Sequence, residues 1–346
     1  MIPDAAAGIR LPTAPPAARR RVREGYRGNV AAPRPRRLSA LVVSNMAPSA
    51  LAPGRGSFVR DQVAAMQRLG EVDVELFEFQ PGAASYPLAA LALRRRYRES
   101  SFDVVHAHFG LTAWPALALG ARRHAATLHG TDLRSRRTRR ITLAALRHLD
   151  LVATVSLELA GELPPAIRAK AAILPCGVAL ERFRPIPREA ARLALGLDPL
   201  GPYLLFPADP TRAGKRFDRA RELAGEVRLL TLGSMAPDHV TLAINAANAV
   251  LVPSDAEGYG LAVLEALACD VPVLATAVGI HEQALSGVAG TLCAPYEQAR
   301  WARALAPALA QADPRIEGRE RAALFSSDAM ARRVLDAWTA LVAAPT

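Results

Sequence analysis

The chain has 346 residues, 51% of them apolar, and a formal net charge of +11. This length allows two domains with a sizeable core, and this composition excludes an intrinsically disordered protein. The three cysteines are far apart and form no C-x-x-C pair, which argues against a disulfide framework or a zinc site and favours a reducing cytoplasm.

The positive charge is concentrated in the first half of the chain. Residues 1–37 carry +7, residues 38–185 carry another +7, and residues 186–346 carry −3. The first segment is rich in Pro, Ala and Arg and has no apolar signal-peptide core, so we predict a disordered tail over residues 1–37. A basic front half suits an anionic partner, such as nucleic acid, membrane phospholipid or a phosphorylated substrate.

Residues 38–185 alternate short apolar runs with helical patterns. The predicted strands are "LSALVVS", "VDVELFEF", "FDVVHAHF", "AATLHG" and "LVATVS". The predicted helices include "FVRDQVAAMQRLG", "LTAWPALALGARR" and "TLAALRHL". This alternation is typical of a parallel sheet with helices on both faces.

The same alternation begins again after a Pro-containing link near residue 186. Here the predicted strands are "PYLLFPA", "VRLLTLG", "AVLVPS" and "VPVLATAV", with helices between them. We predict an α/β fold with two doubly wound Rossmann-like domains, residues 38–185 and 186–325. We predict a C-terminal helix over residues 326–346. Packing of this helix on the first domain is one of the arrangements that the sequence allows. Ligands of such sheets bind beyond the carboxyl ends of the strands.

One such strand end carries two glutamates separated by a glycine-rich turn, in "DAEGYGLAVLEAL". Glu257 follows the strand, and Gly258 and Gly260 allow the backbone to approach a ligand closely. The free N–H groups of the following helix can bind a phosphate, and the Glu265 carboxylate suits the two hydroxyls of a ribose. The pattern indicates a nucleotide-sugar site. The simpler alternative is an acidic residue at a helix start and another on a solvated face.

The segment "VPSDAEGYGLAVLEALACDVPVLATAVG" closely resembles the E-x7-E signature of the family 4 glycosyltransferases, which are retaining enzymes with the GT-B fold. Further motifs follow in the family's order, namely "GRGSFVRDQ", "DVVHAHFG", "TLHGTD", "VSLEL" and "PCGVALERFRP". The resemblance covers most of residues 38–342. Within the family, the chain is most similar to enzymes that build exopolysaccharide or teichuronic-acid-type surface polymers.

The resemblance implies roles for individual residues. The implied catalytic residues are His129 beside the reactive carbon, Glu257 at the donor sugar and Lys215 at the diphosphate. Donor binding would use Arg212, Lys215, Glu257, Gly258, Tyr259, Gly260, Leu261 and Glu265, with Glu265 at the ribose. The acceptor-side candidates are Gly54, Gly56 and His108, whereas His106 has a structural interpretation.

The chain also departs from the family pattern. Asp209 and Pro210 stand where an Arg is usual, so Arg212 or Arg216 would replace it. His281 stands in a loop where Pro is common, which affects the shape of the donor-sugar loop. No D-x-D triplet ends a strand. We therefore expect no metal ion and no other cofactor, with side chains and helix N–H groups neutralising the departing diphosphate.

The resulting prediction is a metal-independent retaining hexosyltransferase that uses a UDP- or GDP-linked sugar and a glycan or lipid-linked acceptor. The alternatives are a nucleotide-sugar 2-epimerase on the same fold and an Arg-rich nucleic-acid-binding protein. The Arg clusters at 94–98 and 134–140 lack the interleaved aromatic residues of single-strand platforms, so we expect no nucleic-acid partner. We expect a cytoplasmic protein that contacts the anionic inner face of the membrane through residues 88–98 and 134–140.

Overall fold

The structure is a computed structural model that describes residues 37–233 and 235–345. The predicted disordered tail therefore lies outside the described residues, apart from Arg37. The first sheet has six parallel strands in the order β2-β1-β3-β4-β5-β6. Its strands are β1 (Leu38–Ser44), β2 (Val72–Glu78), β3 (Phe102–His108), β4 (Ala121–Leu128), β5 (Leu151–Thr154) and β6 (Ala172–Ile173).

Helices cover both faces of this sheet. They are α1 (Ser57–Leu69), α2 (Ser85–Arg96), α3 (Ala113–Leu117), α4 (Thr131–Arg134), α5 (Arg136–Leu146), α6 (Leu157–Gly161) and α7 (Pro165–Arg168). The predicted helix over residues 111–123 is wrong at its end, because Ala121–Arg123 begin β4. Gly120 separates the two elements, and Arg122 and Arg123 donate to main-chain carbonyls near the C-terminus of the chain.

The second sheet has five parallel strands in the order β11-β10-β9-β7-β8. Its strands are β7 (Tyr203–Phe206), β8 (Arg228–Thr231), β9 (Ala249–Val252), β10 (Val273–Ala275) and β11 (Leu292–Cys293). The helices here are α8 (Arg188–Ala194), α9 (Phe217–Ala224), α10 (Pro237–Ala246), α11 (Leu261–Ala268), α12 (His281–Leu285), α13 (Gln298–Leu309) and α14 (Arg319–Ala323). Two doubly wound α/β domains, the predicted class, are thereby confirmed.

The last helix, α15 (Ser327–Ala343), returns to the first domain and packs on α1. Its apolar face contributes Met330, Val334 and Trp338 to the core under the first sheet. The Trp338 indole N–H donates to Nδ1 of His106 at 2.8 Å. Within the described residues, no helix is long and apolar enough to cross a membrane.

Many arginines of the second domain serve the fold. Arg188, Arg192 and Arg319 donate to main-chain carbonyls at helix ends and in loops, including those of Ala246, Ala247 and Ala268. Because a buried carbonyl without a partner is costly, these guanidinium groups stabilise chain segments that no regular ladder satisfies. They are therefore not part of a ligand surface.

Candidate active site

The carboxyl ends of the two sheets face each other across a cavity of about 550 Å³. Nine of the residues singled out in the sequence line it, namely His129, Arg212, Lys215, Glu257, Gly258, Tyr259, Gly260, Leu261 and Glu265. The first domain contributes Ser57 and Phe58, the first residues of α1, from the opposite wall. The start of α1 and the start of α11 thus both line this cavity.

The Glu257 carboxylate, in the loop after β9, and the partly buried Lys215 ammonium form an ion pair. Lys215 Nζ lies 2.6 Å from both carboxylate oxygens, and Ser254 Oγ donates to Oε1 at 2.7 Å. Burial raises the pKa of Glu257, but the charge and hydrogen bond of Lys215 outweigh it, so this pKa lies below its ordinary value. The site therefore holds an ionised carboxylate and a cation within reach of one ligand.

The glycine turn between Glu257 and α11 is shaped by close contacts. A Cβ atom on Gly258 would overlap the main-chain carbonyl oxygen of His129, in the other domain. Gly260 has a φ of +104°, and a Cβ atom there would lie 2.5 Å from Nε2 of His281. The first N–H groups of α11 have no acceptor within the helix. Because Leu261 and Ala262 line the cavity, these donors are available to an anion.

Glu265 lies in the second turn of α11, where the cavity continues into a neighbouring one of about 520 Å³. Both cavities share Glu265 and Arg212, so they form one elongated cleft. Burial raises the pKa of Glu265 to about 7, against the lowering effect of the Arg182 charge. The cleft extends past Glu265 to Gly54 on the first domain and Gly233 on the second.

His129 faces the cavity and belongs to a buried row of histidines. Its Nε2 lies 3.0 Å from Nδ1 of His108, and its Nδ1 lies 4.0 Å from the Cys176 sulfur. Burial, together with His108 and His106, holds the pKa of His129 well below its ordinary value. The ring is therefore neutral, and it forms part of the cavity wall without adding a positive charge.

Three other predicted residues lie elsewhere than at the cleft wall. His108 is 1% exposed and stands behind His129, so the structure does not bring it to the surface where an acceptor would lie. Gly56 precedes α1 and packs against the main chain of Met46, which shapes the loop without lining either cavity. Arg216 binds Asp218 and Asp255, so of these two candidate arginines Arg212 is the one that faces the cleft.

The sequence did not single out two contacts beside the cleft, one between the domains and one within the first domain. Arg134 Nη2 donates to the Glu257 carbonyl oxygen at 3.0 Å, and Arg182 forms two bonds of 3.0 and 2.7 Å to the Asp61 carboxylate. Arg134 belongs to the run 134–140 that is predicted to face the membrane, and its guanidinium here contacts protein groups, including the Glu162 carboxylate. Its position four residues after the "LHG" strand end was the available signal, whereas nothing marked Arg182.

No three His, Cys, Asp or Glu side chains are grouped to hold a metal ion in residues 37–233 and 235–345. The cations of the cleft are instead Lys215 and Arg212, with Arg55 and Arg182 at its extension past Glu265.

Comparison with protein families matches residues 14–182 to Glycosyltransferase Family 4 and residues 209–311 to Glycosyl transferases group 1. A D-inositol 3-phosphate glycosyltransferase of Frankia alni is 30% identical, over 68% of this chain and 73% of that protein. The chain belongs to the family 4 glycosyltransferases. Enzymes of the same name from Mycolicibacterium gilvum and Nocardia farcinica are 35% and 30% identical, over 43% and 66% of this chain. The match spans only 42% and 63% of those two relatives' own lengths.

Solved structures show the same fold. Sucrose-phosphate synthase from Thermosynechococcus elongatus superposes with a TM-score of 0.69 at 21% identity, over 90% of this chain and all of that one. Anabaena Alr3699/HepE in complex with UDP-glucose gives 0.65 at 15% identity, over 88% of this chain and all of the other. The predicted GT-B fold is therefore confirmed. The narrower resemblance to surface-polymer enzymes stays a prediction, since the curated relatives above are named for inositol 3-phosphate.

Proposed function

We propose that this family 4 protein is a retaining glycosyltransferase that moves a sugar from a UDP- or GDP-linked donor to a hydroxyl group. One observation carries the proposal: a cation, two carboxylates and two helix starts converge on one cleft between the domains. A nucleoside diphosphate sugar needs this combination, because its diphosphate is anionic and its two sugar rings present hydroxyl donors. The Anabaena neighbour in complex with UDP-glucose supports this choice of ligand.

In this proposal each group has one task. Lys215, Arg212 and the N–H groups of α11 stabilise the negative charge that develops on the departing diphosphate. Glu257 accepts hydrogen bonds from the transferred sugar, and Glu265 accepts them from the ribose. The neutral His129 contacts the sugar near the reacting carbon. With the charge neutralised in this way, the reaction is proposed to need no metal ion.

The donor is tested first by thermal unfolding with UDP, GDP and ADP. A ligand at 100 times its Kd adds about 2.7 kcal/mol to the free energy of unfolding, so the correct base stands out. Transfer in the presence of EDTA then tests metal independence. Loss of activity that Mg²⁺ or Mn²⁺ restores would contradict it. NMR of the product tests retention, which requires the anomeric configuration of the donor to survive.

Two acceptors are proposed, each supported by its own observation. A lipid-linked glycan of surface-polysaccharide synthesis suits a first domain of charge +7. A phosphorylated polyol is favoured by the name of the relatives, D-inositol 3-phosphate glycosyltransferase. Transfer of radiolabelled sugar to inositol 3-phosphate or to an isoprenyl diphosphate glycan distinguishes them. Epimerisation of the donor without any acceptor would favour the alternative 2-epimerase.

A further inference from the structure

A second large cavity, of about 650 Å³, lies within the first domain. It is bordered by α2, the turn after β3, α3 and α5, and its walls are mostly apolar. The main contributors are Tyr86, Ala90, Leu111, Trp114, Pro115 and Ile141. Among the described residues that line it, Arg137 alone carries a charge. We call this space the apolar cavity.

The apolar cavity shares a wall with the cleft. Phe109 lines the cleft, and Leu111, two residues later, lines the apolar cavity. On the other side, Asn45 donates to the Tyr86 hydroxyl at 2.9 Å while its neighbour Met46 lines the cleft. Both spaces therefore open at the carboxyl edge of the first sheet. The loop after β3 therefore borders both spaces.

Apolar side chains remain exposed around the apolar cavity. Trp114 and Ile141 are each 41% exposed, and Leu88 of α2 is 64% exposed. Such side chains, grouped at the mouth of an apolar space, mark a surface that binds an apolar partner. A small polar acceptor such as a polyol would not account for them.

Arg137, which lines the apolar cavity, and its neighbours on α5 carry free positive charge. Arg136, Arg137 and Arg140 are exposed, and among residues 37–233 and 235–345 no carboxylate lies within ion-pair distance of them. Arg134 and Arg139, by contrast, are held by protein groups, including the Glu162 carbonyl for Arg139. An apolar cavity with unmatched cations at its rim is complementary to an anionic amphiphile.

We propose that the apolar cavity holds the first hydrocarbon units of an isoprenoid chain, with the attached phosphate at Arg137. This rests on the proposed transfer function and narrows its acceptor class to lipid phosphates. The glycan carried by the lipid reaches the cleft across the shared wall. Arg137 and Ile141 determine acceptor specificity in this proposal and take no part in the donor site.

The test uses the full-length protein, farnesyl phosphate below its aggregation concentration, and tryptophan fluorescence. Trp301 and Trp338 are fully buried, so a shift of the emission reports on Trp114. We expect a saturable blue shift with farnesyl phosphate and none with inorganic phosphate. The affinity for farnesol should be at least tenfold lower than the affinity for farnesyl phosphate. Ile141→Glu and Arg137→Ala should weaken binding at least tenfold. Two control variants should change the affinity for farnesyl phosphate less than twofold. They are Leu157→Glu, at another exposed leucine of the domain, and Arg147→Ala, at the far end of α5.

The outcomes separate the two proposals. A protein that binds its nucleoside diphosphate but shows no saturable shift with farnesyl phosphate overturns the lipid cavity and leaves the transferase function standing. Equal affinity for farnesol and farnesyl phosphate overturns the role of Arg137. A dimer that Ile141→Glu converts to a monomer, seen by sedimentation, would assign the cavity to a second copy of the chain and overturn the proposal. Nucleotide affinity measured on each variant shows that it is folded.

Discussion

At the scale of single residues, the Lys215–Glu257 pair occupies the position where the diphosphate and the transferred sugar are proposed to bind. Both carboxylate oxygens lie within 2.6 Å of the ammonium nitrogen, and the carboxylate is only 8% exposed. Donor binding has to exchange this pair for two ligand contacts, one from each partner. The exchange leaves neither charge buried alone, which is the condition for a buried ion pair to separate at low cost.

The role of Lys215 in phosphate binding predicts a selective loss in Lys215→Ala. Affinity for the correct nucleoside diphosphate should fall about 10- to 100-fold, since a hydrogen bond to a charged group contributes about 1.5–3 kcal/mol. Affinity for the nucleoside alone should not change. Isothermal titration measures both, with Lys170→Ala at the other lysine of the chain as the matched control. Equal losses for both ligands would mean that Lys215 acts through folding.

The raised pKa of Glu265 predicts a pH-dependent affinity. Burial places this pKa at about 7, and only the ionised carboxylate accepts bonds from both ribose hydroxyls. Affinity for UDP-glucose, if uridine is the base, should therefore fall about tenfold between pH 8 and pH 6. The donor itself has no group that titrates in this range. Isothermal titrations of UDP-glucose at five pH values test this. Glu265→Gln should bind UDP-glucose weakly, with an affinity that does not depend on pH. A slope that persists in the variant would exclude Glu265 as its origin.

The same pKa predicts the effect of Glu265→Gln on the unliganded protein. A carboxyl whose folded pKa is raised contributes stability at low pH, and that contribution is lost as pH rises from 4.5, the ordinary value, to about 7. Because glutamine does not ionise, Glu265→Gln does not lose stability in this way as the pH rises. Its free energy of unfolding should exceed that of the wild type at pH 8, with a difference that shrinks towards pH 5. Urea unfolding at both pH values measures it, and a difference that grows on acidification would contradict the assignment.

At the scale of elements, the sequence predicted the parts of the site that follow one another along the chain. Strand β9, the glycine turn and α11 are contiguous, so apolar patterning and two glycines place Glu257 and Glu265 on one cleft. The Trp338–His106 bond and the Arg134–Glu257 contact join positions 232 and 123 residues apart. Such pairs depend on how the elements pack, and no local pattern encodes them.

The contact of the glycine turn with the first domain predicts that Gly258→Ala opens the cleft. The new methyl group would overlap the His129 carbonyl, and the main chain on either side cannot move without shifting α11 or β4. We expect a larger radius of gyration in small-angle scattering and turnover reduced at least about hundredfold, since small displacements of reacting groups cost that much. Gly214→Ala, beside Lys215, has open space and should alter neither measurement. Unchanged scattering and turnover in Gly258→Ala would contradict the closure contact.

At the scale of the whole molecule, the charge asymmetry between the domains has a structural basis. Buried arginines of the second domain donate hydrogen bonds to carbonyls and carboxylates of the protein, and residues 186–346 carry a net negative charge. In the first domain, Arg136, Arg137 and Arg140 remain exposed, and Arg137 lines the apolar cavity together with Trp114. Two segments, 88–98 and 134–140, are predicted to contact the membrane. The start of segment 88–98 and the middle of segment 134–140 both line the apolar cavity.

This arrangement predicts reversible binding to anionic membranes that weakens as salt rises. Each Arg near an anionic surface adds about 1 kcal/mol, so replacing Arg136, Arg137 and Arg140 by Ser should reduce binding to phosphatidylserine vesicles roughly hundredfold. The control variant replaces three exposed arginines of the second domain, Arg221, Arg300 and Arg303, by Ser. Both variants thus lose the same charge, and both keep residues 1–36. Co-sedimentation with anionic and neutral vesicles at two salt concentrations measures both. If the two triple variants lose binding equally, or if neutral vesicles bind the wild type as well as anionic ones do, this surface does not dock the enzyme and the acceptor is reached in solution.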